Sequence, residues 1–78
     1  MNQKQRKRLA ELAGSIADIS SEVGEILYDE QSAFDAKSEK WQESEKGQKQ
    51  DQLISELQAA VDALDNAQHE LDGVATQE

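Results

Sequence analysis

Six aliphatic residues, Leu9, Leu12, Ile16, Ile19, Val23 and Ile26, follow one another at spacings of 3, 4, 3, 4 and 3. Only a helix that turns once in about 3.6 residues brings such positions to one side, and the strict 3–4 alternation is the seam of a coiled coil. Few folds other than packed long helices can use that pattern. The next positions in the frame are Glu30 and Ala33, so the seam weakens there. A second row runs beside the first: Ala10, Ala13, Ala17, Ser20, Gly24 and Leu27, with the same spacings. It consists almost entirely of small residues. The two rows together are wider than one helix partner requires. The large row suits knobs-into-holes packing, and the small row would admit another backbone at close range. The sequence therefore predicts that this helix packs against two neighbours, with Ala10, Ala13, Ala17, Ser20, Gly24 and Leu27 as the self-association surface. A simpler account is that Ala is a good helix former. Gly14 and Gly24 weigh against it, because each interior Gly costs about 1 kcal/mol relative to Ala.

The second half repeats the design. Leu53, Leu57, Ala60, Leu64, Ala67, Leu71 and Val74 are spaced 4, 3, 4, 3, 4 and 3, and Ile54 and Val61 widen the same face. Gly73 is a candidate C-terminal stop, which leaves residues 73–78 as a loose tail. Helical periodicity fails between Ala33 and Gly47, where Asp35, Ser38 and Ser44 are each candidate N-caps. The expected layout is a helix over about 3–32, a connector over about 33–44 holding a turn at 34–37 and one short helical turn at 38–42, and a second helix over about 45–72. At 1.5 Å per residue the two long helices measure about 45 and 42 Å, a match that favours an antiparallel hairpin. The fold class is thus all-α, a coiled-coil-like antiparallel two-helix hairpin in a single domain, 1–78.

Size then matters. A chain of 78 residues without Cys has neither disulfide nor thiolate metal site to reinforce a small core. Self-association is the remaining route, and pairing of two hairpins gives a four-helix bundle homodimer. No apolar run approaches the length of a membrane span.

Charge is uneven. The formal net charge is −9. Lys4, Arg6, Lys7 and Arg8 form a basic stub, residues 9–36 and 51–78 each carry seven acids and no Lys or Arg, and the connector is mixed. An antiparallel hairpin would set the basic stub beside the acidic end of the second helix. The acidic surface repels nucleic acid and anionic bilayers, so neither is an expected direct partner; it favours solubility or a basic protein partner. Glu22, Glu25 and Asp29 form the candidate acidic face. Two of the three aromatics, Phe34 and Trp41, fall in the connector. They either cap the open end of the hairpin core or, with Gln42, form a partner-binding tip, since Trp is enriched in binding hot spots.

The connector also carries a resemblance. Asp29-Glu30-Gln31-Ser32-Ala33-Phe34-Asp35, Trp41-Gln42-Glu43-Ser44-Glu45-Lys46-Gly47 and Leu57-Gln58-Ala59-Ala60-Val61-Asp62-Ala63-Leu64 resemble the layout of small, mostly uncharacterised proteins of bacteriophage and prophage genomes. Those proteins share a basic stub, a Leu/Ile-rich helix ending in Ala-Phe-Asp, a short linker, then Gln-x-Ser-Glu-Arg/Lys-Gly and a Leu/Ala-rich helix. The likeness covers most of the chain. Where that pattern usually has Pro this chain has Ser38, and Ser fixes the backbone less firmly than Pro. The resemblance implies a phage-encoded accessory protein and supplies no mechanism; because no apolar stretch resembling a signal peptide follows the basic stub, the expected location is the cytoplasm, here that of a bacterial host.

Catalytic chemistry finds little to work with. The single His, His69, has Asn66 and Asp65 three and four residues before it, a poor match to the Glu-x-x-His of carboxylate metal sites. There is no Gly-rich phosphate loop. No catalytic, cofactor or metal residue is expected. Two functions remain: a structural or adaptor module that binds a protein partner, or an acidic nucleic-acid mimic that inhibits a host DNA/RNA-binding or defence protein.

Overall fold

The computed structural model describes residues 1–77 and contains three helices, α1 (Gln3–Asp35), α2 (Glu39–Glu43) and α3 (Glu45–Ala75). α1 begins at a capping box: the Asn2 side chain accepts from the Gln5 amide, and the Gln5 side chain accepts from the Asn2 amide. This reciprocal pair satisfies two otherwise orphaned donors. The helix runs to Asp35, three residues beyond the expected end. Asp35 is its last residue and caps nothing; its carboxylate accepts from Gln31 one turn back.

Ser38 and Ser44 do act as N-caps, accepting from the Trp41 and Gly47 amides. Gly47 is needed there. A Cβ on it would run into the carbonyl oxygens of Trp41 and Gln42 and lie 2.6 Å from the Gln42 carbonyl carbon. α2 crosses over the first turn of α3 at that point. α3 continues through Gly73, which does not end it. The end comes at Thr76, whose amide and hydroxyl both bond to the Asp72 carbonyl. Glu78, the last residue of the expected loose tail, lies outside the described residues.

The two long helices pack side by side in a rod with Cα extents of 57 × 14 × 12 Å. They run antiparallel. Ser20 Oγ donates to Asp65 Oδ1 at 2.6 Å, and Gln50 Nε2 donates to Glu30 Oε2 nearer the connector. These side-chain bonds fix the register. The basic stub plays no such part: Arg8 pairs with Glu11 and Lys49 with Glu45, each within its own helix, and no ion pair among the described residues joins α1 to α3.

The inward seam differs from both expected rows and lies between them. On α1 it comprises Leu9, Ala13, Ile16, Ser20, Val23, Leu27, Glu30 and Phe34, all buried or half-buried. It takes every second member of the large row and every second member of the small row. On α3 it comprises Gly47, Gln50, Ile54, Leu57, Val61, Leu64, Gln68, Leu71 and Ala75. Ile54 and Val61, expected at the margin, are at its centre. The contact is thin. Ala13 and Ile54 are the buried hydrophobic residues, and no large side chain is fully buried among the described residues.

Candidate functional site

The expected self-association row does not face outward as a unit. Ala13 is fully buried and Ser20 nearly so, both against α3 of the same chain. Ala17, Gly24 and Leu27 are half-buried, and Ala10 is exposed. Ala13 and Ser20 serve the hairpin itself, where they are buried against α3, and Ala10, Ala17 and Gly24 stay exposed or half-buried. Close backbone approach is not what Gly24 provides either, because a Cβ there would meet nothing within 4 Å.

The members of the large row that α3 leaves uncovered are Leu12, Ile19 and Ile26, at 37, 49 and 55% exposure. They recur every seven residues. On α3 the residues in the matching phase are Leu53, 44% exposed, then Ala60 and Val74, also exposed, with Ala67 between them half-buried, again every seven. Gly24, Leu27, Tyr28 and Gln31 of α1 share one groove with Asp51, Ile54, Ser55 and Gln58 of α3. That groove identifies one flank of the hairpin. Each residue turns the helix by about 100°, so Leu12, Ile19 and Ile26 fall on the other side of the α1 seam. Leu53, Ala60 and Val74 fall on the other side of the α3 seam. In an antiparallel pair these two sides meet, and the rod has one apolar flank and one polar flank.

Charge follows the same division. The apolar flank is bordered by three bases, Arg8, Lys46 and Lys49, and by the acids Glu22, Asp29, Glu56 and Glu70. It is close to balanced. The grooved flank carries Asp51, Asp62, Asp65 and Asp72 on α3 against Lys7 on α1. Most of the acid excess therefore lies away from the apolar flank. Glu22, Glu25 and Asp29 are all exposed along the outer side of α1, and none belongs to an ion pair among the described residues.

The connector closes one end of the rod. Phe34 and Trp41 meet edge-to-face with ring centroids 6.2 Å apart, and Lys37 Nζ lies 5.2 Å from the Trp41 ring centroid. Gln42 Nε2 donates to the carbonyls of Phe34 and Lys37 at 3.0 and 3.2 Å. Its side chain thus ties the end of α1 to α2. Phe34, Trp41 and Gln42 are half-buried, so the aromatic pair both caps the seam and presents part of its surface. Lys37 was not singled out by the sequence, where nothing marks which cation a connector will fold over its Trp. The Ser20–Asp65 bond was also missed, because Asp65 reads as one carboxylate in a solvated row.

His69 is exposed, and no group of three His, Cys, Asp or Glu among the described residues is placed to hold a metal ion. No helix among the described residues is long and apolar enough to cross a membrane. No family model, curated protein or solved structure matches the chain, so its similarity to known proteins adds nothing to this geometry.

Proposed function

We propose that this chain is a non-enzymatic accessory protein of the bacteriophage type, working by self-association and by binding a protein partner through the rod end that carries Phe34, Trp41 and Gln42. The observation that carries the partner-binding part is the preorganised Trp41. Its ring meets Phe34 edge-to-face and carries Lys37 Nζ over it, and its backbone is held by the Ser38 cap and by the Ser44 hydroxyl, which donates to the Trp41 carbonyl. An aromatic anchor already fixed in one geometry loses little side-chain entropy on binding. The rod then acts as a spacer that presents this end.

A second reading is supported by the unpaired carboxylates of Glu22, Glu25 and Asp29. A row of exposed acids on a stiff helix imitates a row of phosphates, and the chain would then inhibit a DNA/RNA-binding or defence protein. The two readings separate in one experiment. The wild-type chain, Trp41→Ala, and a triple variant with Glu22→Lys, Glu25→Lys and Asp29→Lys are each used to capture partners from a bacterial lysate at low and high salt. A partner lost with Trp41→Ala and kept with the triple variant supports the tip. A basic partner lost with the triple variant and released steeply by salt supports the mimic. A partner retained by both variants overturns both.

A further inference from the structure

We infer that the occupant of the apolar flank is a second copy of this chain, which lays its own flank of Leu12, Ile19, Ile26, Leu53 and Val74 on the first to complete a four-helix bundle. This rests on the self-association reading above and fixes its surface, which is not the small-residue row.

Four observations single out a second copy. Among the described residues the hairpin alone buries only Ala13 and Ile54 of its apolar side chains and no large one fully, so the occupant must be present whenever the chain is folded, and another copy always is. The flank is also suited to itself. A two-fold interface must be complementary to its own image, and here α1 offers large knobs every seven residues while α3 offers Ala60 and Ala67 at the same repeat. Large against small is how facing helix layers interdigitate. The two stripes are also of comparable extent: Leu12 to Ile26 covers about 21 Å of α1 and Leu53 to Val74 about 32 Å of α3, so a flipped copy can lay one against the other. Charge, finally, permits the approach. Two copies of a −9 chain repel, but Arg8, Lys46 and Lys49 offset most of the acids bordering this flank, whereas Asp51, Asp62, Asp65 and Asp72 crowd the other.

The absence of Cys makes the test direct. Light scattering should give twice the 8.7 kDa chain mass at about 100 µM. Ile19→Asp combined with Ile26→Asp should give the monomer mass or an unfolded chain. Because that variant can fail simply by unfolding, single thiols supply the second readout. The thiol of Ile26→Cys should be alkylated at least about tenfold more slowly at concentrations that favour the dimer than on dilution, in proportion to the uncovered fraction. The thiol of Ser55→Cys, on the grooved flank, should react at the same rate at both. A wild-type chain of monomer mass throughout would overturn this inference together with the self-association reading. A wild-type dimer in which Ser55→Cys is protected and Ile26→Cys is not would overturn this inference alone.

Discussion

The two flanks of the rod are built on the same pair of helices, yet they differ in kind. One carries Leu12, Ile19, Ile26 and Leu53, each more than a third exposed. The other carries Gly24, Tyr28, Asp51, Ser55 and Gln58 around an open groove. Both begin one helical step from the same seam. Exposed aliphatic residues scattered over a surface mean little, but these recur every seven residues on both helices and on one side. Amphipathicity here operates at two levels: each helix has an inward seam, and the hairpin as a whole has an apolar side. The second level is the feature from which the proposed pairing of two hairpins is argued.

Substitutions can break or sharpen this contrast. The largest effect is expected at the seam, which both flanks share. Ile54 is the buried aliphatic residue of α3, and Ile54→Ala should cost about 3 kcal/mol of stability in urea unfolding. A cost below about 1 kcal/mol would mean that the α1–α3 contact does not hold the chain together. The next effect tests the flanks directly. Ile19→Ser and Ile26→Ser leave the seam intact, and covering the exposed half of each side chain is worth about 1 kcal/mol. The double variant should therefore lose about 2 kcal/mol, with a loss that depends on protein concentration. Tyr28→Ser on the grooved flank should change stability by about 0.5 kcal/mol or less. Equal losses on the two flanks would erase the distinction.

A smaller effect is expected at the polar crosslink. Ser20→Ala removes the bond to Asp65 and should cost about 1 kcal/mol. The smallest effect carries the opposite sign. Nothing lies within 4 Å of a Cβ at Gly24, so Gly24→Ala should raise stability by about 0.5–1 kcal/mol, through higher helix propensity and lower entropy of the unfolded chain. A loss instead would show that some backbone does approach the small row, and would return the interface to that side.

Much of this was legible in the residues. The 3–4 repeats of Leu9 to Ile26 and of Leu53 to Val74 specify two long helices, because no other local structure gathers those positions. Ser38 and Ser44 mark the starts of α2 and α3 by a local rule, the side-chain oxygen reaching the amide three residues on. Gly73 misled for an equally local reason. Glycine permits a helix to end but does not force it, and here the helix continues until Thr76 can bond back to Asp72. The inward seam could not be read, since α1 carries three adjacent rows of apolar or small residues and periodicity alone gives their spacing without their phase. Glu30 and Gln50, bonded to each other across the hairpin, give no help, because each belongs both to an expected row and to the observed seam.

The sequence by itself therefore determined that the chain is helical, where the breaks fall, and that it carries more apolar surface than one helix contact consumes. Those are properties of single segments, set by caps, propensities and spacing along the chain. Only the tertiary structure decided which rows face each other. It sent Ala13 and Ser20 inward, left Leu12, Ile19 and Ile26 outside, and gathered the uncovered rows of α1 and α3 onto one flank. That choice depends on how two helices mesh at once, with Ser20 finding Asp65 and Glu30 finding Gln50.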